Sequence, residues 1–257
     1  MCELFGMSAR YPTDVNHSLA LLRPRGGEIG PHADGWGVAF YEGRAARIFK
    51  EPAPAAESRC LAFIAENDYQ SSVVIGHIRK ANPAKVGRTA ANTHPFSREL
   101  GGRSWVFAHN GKLPGIREDP RFTLHRFQPI GETDSEHAFC FLLDQIARAS
   151  KDHWLEAEAL AMVLHSPLLA LSELGILNLL LSDGSHLLAF ANTNLHQIQR
   201  VCMEHECNQR VILLATAPLT AESWVALPSA QLDIFVHGEL VVSRACQPDG
   251  TESEQVG

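Results

Sequence analysis

The chain has 257 residues, 45% hydrophobic and 20% charged, and its 22 basic and 29 acidic side chains give a formal net charge of −7. That size and balance suit one large folded domain or two small ones. An acidic chain with no run of Lys and Arg has no electrostatic footprint for nucleic acid or an anionic membrane.

The chain opens MCELFGM. Methionine aminopeptidase removes Met1 when the next side chain is small, and Cys2 is small enough; the mature chain would then begin with a thiol and a free α-amine on one residue. Two readings stay open: Cys2 is the passive first residue of a strand, or a nucleophile with its base beside it, since a thiol needs a positioned base. No basic-then-apolar signal pattern precedes it, and no stretch approaches the roughly 18 consecutive apolar residues of a membrane span. A cytoplasmic location is therefore expected, with the six scattered cysteines reduced.

CELFGMS reads as a short strand, and TDVNHSLALLR as a helix capped by Thr13 or Asp14. GWGVAFYEGRAARIFKE predicts a hairpin around Glu42-Gly43, AAESRCLAFIAEN a helix, and SSVVIGHIR a β-branched strand ending at Arg79. WVFAHNG predicts another strand, stopping at the turn signal Asn110-Gly111. Thr133 and Glu136 then form a T-x-x-E capping pattern ahead of an apolar helix, and WLEAEALAMVLH predicts a second helix. ILNLLLSDGSHLLAFA is a hairpin around Asp183-Gly184, and RVILLATAPL and DIFVHGELVVSR supply further strands. Hairpins of this kind predict an α+β fold with antiparallel sheets, covered on both faces because several strands are apolar on both alternations. No repeat or composition break divides residues 2–246, and residues 247–257 form a polar tail. Cys202, His205 and Cys207 are close in sequence, but no second pair completes a zinc site, so a surface loop with incidental thiols is the better reading and no metal is expected.

Polar clusters at strand ends and helix starts carry the candidate chemistry. Arg79 can grip a carboxylate with two prongs or pair with any nearby acid. Asp134 in a first helical turn complements the helix dipole. Asn110-Gly111 is either a turn or a pair of donors, side-chain amide and backbone N–H, aimed at one oxyanion. His94 before Pro95 is either a structural histidine or a substrate contact.

Taken in order, MCELFGMSA, GPHADGWGVAFYEG, HIRKAN, NTHPFSREL, FAHNGKL and GETDSEHAFC resemble the class II (N-terminal nucleophile) glutamine amidotransferase domain, and most closely its stand-alone YafJ-type members. The resemblance implies a four-layer αββα sandwich. It implies Cys2 as nucleophile with its own α-amine as base, Asn110 and Gly111 as the oxyanion hole, Arg79 for the substrate α-carboxylate, Asp134 for the α-ammonium and His94 near the substrate. Asn82 stands where relatives carry a threonine, and the resemblance implies that it replaces it as a carboxylate contact. The Gly-rich segment from Arg25 to His32 is expected to act as a lid. The resemblance further implies glutamine or a γ-glutamyl small molecule as substrate, no cofactor, and either a separate ammonia-using synthase as partner or independent hydrolysis of γ-glutamyl compounds. A catalytically silent sensor of such metabolites is the alternative from another class. The sequence leaves the oligomeric state open.

Overall fold

The computed structural model describes residues 2–80, 86–151, 153–202 and 208–246. Sequence periodicity explains its layers. In β1 (Glu3–Thr13) Leu4 faces one way and Phe5, Met7 and Ala9 the other, and both sets are buried. In β4 (Ser71–Arg79) Val73 and Ile75 share one face, Val74 and Ile78 the opposite one. Strands with two apolar faces must be covered twice.

The first sheet takes β1 and β4 at its centre. β2 (Gly35–Glu42) and β3 (Ala45–Glu51) continue it beyond β4. On the other side β1 pairs with β10 (Gln209–Ala215), then come β9 (His196–Cys202) and the short β11 (Val225–Ala226). The second sheet runs from β5 (Phe96–Leu100) and β6 (Arg103–Lys112) through β7 (Ile176–Ser182) and β8 (Leu187–Ala191) to β12 (Gln231–Val236) and β13 (Glu239–Ala245). Every strand pairing is antiparallel.

Helices α1 (Asn16–Leu22) and α2 (Arg59–Glu66) insert Leu19, Leu22, Leu61 and Ile64 into the core on the outer face of the first sheet. Helices α3 (Asp134–Ser150) and α4 (Ala157–Leu174) do the same for the second sheet with Phe139, Leu142, Leu164 and Leu168. Between the sheets Leu4, Ile75, Val106, Ala108, Leu180 and Phe235 form the third core. Three cores between four layers give the expected αββα sandwich.

Both predicted hairpins form: Glu42 pairs with Ala45 around Gly43 (φ +59°), and Ser182 with Leu187 around Gly184 (φ +90°). Three local expectations are corrected. Thr13 closes β1 and Asp14 caps no helical N–H beyond that of Asn16, because α1 starts two residues later with Val15 at its N-cap. Asn110-Gly111 is no turn: β6 runs through it to Lys112, with Asn110 opposite Asn178, so ladder pairing overrides the local signal. Cys202 ends β9 rather than lying in a loop, while His205 and Cys207 fall outside the described residues, as does the 247–257 tail. Helix α4 continues past Pro167 to Leu174 because Leu168 and Leu171 pack on the second sheet. Its length and mean hydropathy of 1.3 would suffice to cross a membrane, but its Leu160, Leu164, Leu168 and Leu171 stripe is buried in that core.

Candidate active site

One end of the sandwich gathers the polar residues that the apolar strands carry. Register explains how. Antiparallel pairing of Glu3 with Ile78 brings Cys2 beside the end of β4, where Arg79 and Lys80 follow. The Cys2 Sγ accepts the Lys80 N–H at 3.2 Å and lies 3.5 Å from the Lys80 carbonyl. Burial pushes the Cys2 thiol up, and the Lys80 N–H and the Arg79 charge pull it part of the way back.

Arg79 is buried, with only 4% of its surface exposed. Its Nη1 reaches the Asp34 and Gly87 carbonyls at 3.4 and 3.5 Å, both long contacts. Asp34 is engaged elsewhere, with Arg88 at 2.5 Å. Among the described residues no carboxylate oxygen comes within ion-pair distance of Arg79. A desolvated guanidinium with unspent donors can receive an anion.

Opposite stands the second sheet. His109 Nε2 is 3.1 Å from the Ile176 carbonyl, which can only accept, so Nε2 carries the proton and Nδ1 accepts from the Ser135 hydroxyl at 2.9 Å. This brace ties β6 to the first turn of α3. Next to it Asn110 is fully buried; its Nδ2 lies 3.3 Å from Thr216 Oγ1, and its Oδ1 has no partner among the described residues. Gly111 follows, and a Cβ there would overlap the Ile176 carbonyl oxygen, so glycine is required by backbone approach rather than by a turn.

Helix α3 starts as its sequence predicts. Thr133 Oγ1 accepts the Glu136 N–H at 3.1 Å. The reciprocal half of the capping box is absent: the Glu136 carboxylate instead takes the Ile130 and Gly131 N–H groups and pairs with Arg98 at 2.6 Å. Asp134 accepts the Leu113 N–H through Oδ2 and the Ser135 N–H through Oδ1, each at 2.8 Å. The Ser135 hydroxyl also lies 3.4 Å from Oδ1; of roughly four lone-pair sites, those not engaged can meet a cation.

His94 is buried, its ring centroid 4.2 Å from that of His77 and 4.4 Å from that of Phe96. All four ring nitrogens of His77 and His94 lack a partner among the described residues. Burial, then the neighbouring histidines, lowers both; His77 falls to about 3.

These residues surround an open cavity of about 780 Å³, lined by Cys2, Arg79, His94, His109, Gly111 and Asp134 together with residues of the 113–118 segment after β6 and of the 132–135 start of α3. Of the residues expected from sequence, Cys2, Arg79, His94, Gly111 and Asp134 therefore meet in one place, and Asn110 lies buried directly beside Gly111. Asn82 lies outside the described residues. The Arg25–His32 segment is not part of this lining; Arg25 is held by Glu3 at 2.9 Å and by the Ala217 and Pro218 carbonyls. Sequence reasoning gave no role to His77, His109, Ser135 or Thr216. The usable signal was a histidine inside each of two otherwise apolar strands, SSVVIGHIR and WVFAHNG.

The family model for class II glutamine amidotransferases matches residues 1–205. The chain belongs to that family. YafJ of Escherichia coli strain K12, an inferred glutamine amidotransferase, is 39% identical over 94% of this chain and 100% of its own length. The crystal structure of a predicted glutamine amidotransferase from Pseudomonas aeruginosa superposes with a TM-score of 0.69 at 37% identity, covering 94% of this chain and all of that one. Glutamine phosphoribosylpyrophosphate amidotransferase of Bacillus subtilis shares the fold alone, at a TM-score of 0.66 and 17% identity, over 96% of this chain and 49% of that enzyme.

Proposed function

We propose that this class II family member hydrolyses the side-chain amide of glutamine through a thioester on Cys2. The observation that carries the reading is the convergence on one cavity of a half-buried thiol, a buried guanidinium without an ion-pair partner among the described residues, a carboxylate with spare acceptor capacity, and Gly111, with Asn110 buried directly beside it. Arg79 holds the α-carboxylate and Asp134 the α-ammonium, which fixes the register of the amide carbon. After Met1 is removed, the Cys2 α-amine takes the thiol proton. With an ordinary value near 7.7–8.0 it is well matched to that task at neutral pH. The thiolate attacks the amide carbon, and the oxyanion forms between the Asn110 side chain and the Gly111 N–H. Collapse expels ammonia, which leaves with the proton held by the amine. Water, deprotonated by the same amine, cleaves the thioester to glutamate.

A second reading shares this chemistry: the substrate is a γ-glutamyl peptide or metabolite, and no ammonia-consuming partner is involved. It is favoured by the cavity, whose 780 Å³ is of the size that accommodates drug-like ligands and exceeds what one amino acid fills. In the first reading a separate synthase docks at the cavity mouth and uses the ammonia.

The test is the intact mass of natively expressed protein beside glutamate release from glutamine and from a γ-glutamyl peptide, wild type against Cys2→Ala. Loss of Met1 with Cys2-dependent release is the expected result, and the faster substrate separates the two readings. Glutamine binding without release, even beside candidate synthases, would leave a sensor and remove the enzyme.

A further inference from the structure

Thr216, just beyond β10, joins three parts of the site. Its backbone N–H donates to the Leu4 carbonyl at 3.2 Å, and its own carbonyl accepts from His196 Nδ1 at 3.1 Å. Its hydroxyl accepts the Leu4 N–H at 2.8 Å, two residues from Cys2, and reaches the Asn110 amide at 3.3 Å. The hydroxyl has one proton to give, and the far side of the Asn110 amide is buried and unpartnered among the described residues.

The two ends of a carboxamide are told apart by their hydrogen-bond partners. With nitrogen toward Thr216, the hydroxyl oxygen receives two donors, its proton finds no acceptor at this junction, and a buried amide oxygen is left unpaired. With oxygen toward Thr216, the Leu4 N–H enters the hydroxyl oxygen and the hydroxyl proton enters Asn110 Oδ1. The hydroxyl is then satisfied on both sides, and the unpaired buried group on the far side is a pair of N–H donors in place of an oxygen. A fixed, unpaired buried donor is what stabilises an anion formed only during reaction.

We infer that Thr216 is a positioning residue: its hydroxyl holds the Asn110 amide with the oxygen toward itself and the nitrogen free to meet the oxyanion. The inference rests on the proposed role of Asn110. It explains why a hydroxyl, rather than an apolar side chain, follows the apolar strand RVILLA.

The test compares Thr216→Val, which keeps the shape and removes the hydroxyl, with Thr216→Ser, which keeps the hydroxyl. On whichever substrate the wild type turns over, Thr216→Val is expected to lower kcat about 100-fold, the scale of one lost oxyanion donor, with KM changed less than about threefold. Thr216→Ser should stay within about threefold of wild type, and Thr216→Val should add nothing in an Asn110→Ala background. Equal losses in both Thr216 variants, or losses that multiply with Asn110→Ala, would overturn the inference. Neutron diffraction from deuterated crystals decides the orientation without turnover: deuterons on the Asn110 atom facing Thr216 would refute it. If the wild type releases no glutamate from any substrate, the proposed function fails, and the deuteron positions still decide whether Thr216 sets the amide.

Discussion

Replacing Arg79 by Gln tests the substrate register most directly. The side chain is 4% exposed and makes only contacts of 3.4 and 3.5 Å to two carbonyls, so the fold spends little of its donor capacity. Truncating one partner of a buried, hydrogen-bonded charge pair costs about 2–5 kcal/mol. At about 1.4 kcal/mol per decade, kcat/KM for glutamine should fall between roughly 30-fold and several thousand-fold. The free protein should melt within a few degrees of wild type, or higher, since the change removes a desolvated charge that meets no carboxylate among the described residues. The assay is steady-state glutamate release from glutamine beside release of ammonia from 4-aminobutanamide, which lacks the α-carboxylate. Wild type should be poor on 4-aminobutanamide, and Arg79→Gln should be no poorer. A loss of the same size on both substrates would refute the carboxylate grip and assign Arg79 to the scaffold.

Further expectations concern the nucleophile, the glycine and the buried histidines. A chain made with one extra residue that blocks removal up to Cys2 leaves the thiol pushed up by burial and without its amine base; activity should drop about 10²–10⁴-fold, read beside intact mass, and undiminished turnover would exclude the amine as base. Gly111→Ala drives a methyl into the Ile176 carbonyl oxygen, so a melting-temperature drop equivalent to about 1–3 kcal/mol with loss of turnover is expected, and a stable, active variant would contradict the close approach. His77 titrates near 3 when folded and near 6.5 when unfolded, so its contribution is full above pH 6.5 and is lost at about 1.4 kcal/mol per pH unit below it. Urea unfolding at pH 7 and pH 5 should show His77→Phe losing about 2 kcal/mol less than wild type over that interval, and equal losses would argue against a neutral buried ring.

The sandwich was legible because its strands carry apolar residues on both alternations and its hairpins carry Glu42-Gly43 and Asp183-Gly184. Strands β5 and β9 were not, since FSREL is short and polar at its exposed positions and HQIQRVC buries only Ile198, so both owe their form to the neighbours they pair with. At the site, Cys2, Arg79 and Asp134 could be picked out by their places at the ends of elements. Asn110-Gly111 misled as a local signal because a turn dipeptide and a close backbone crossing demand the same glycine. Thr216 could not be found from its own surroundings: the two partners of its hydroxyl, Leu4 and Asn110, are more than one hundred residues away, and only β10 docking on β1 and the packing of the two sheets bring them together.

The position of β1 has a consequence for biosynthesis. β1, which precedes the other described strands, is central in its sheet, with β4 on one side and β10 on the other, so its second neighbour does not exist until residue 215 has been synthesised. A nascent chain can exchange hydrogen bonds between β1 and β4 early, but it then presents β1 as an open edge of seven consecutive residues, ELFGMSA, six of them destined for burial. Such an edge is a template for pairing with another chain. The thiol at its head is thus exposed to the cell for most of translation and is sequestered only when the last third of the protein closes the sheet. Ribosome stalling or C-terminal truncation before β10 should yield aggregates crosslinked or alkylated at Cys2, rather than a partly active enzyme.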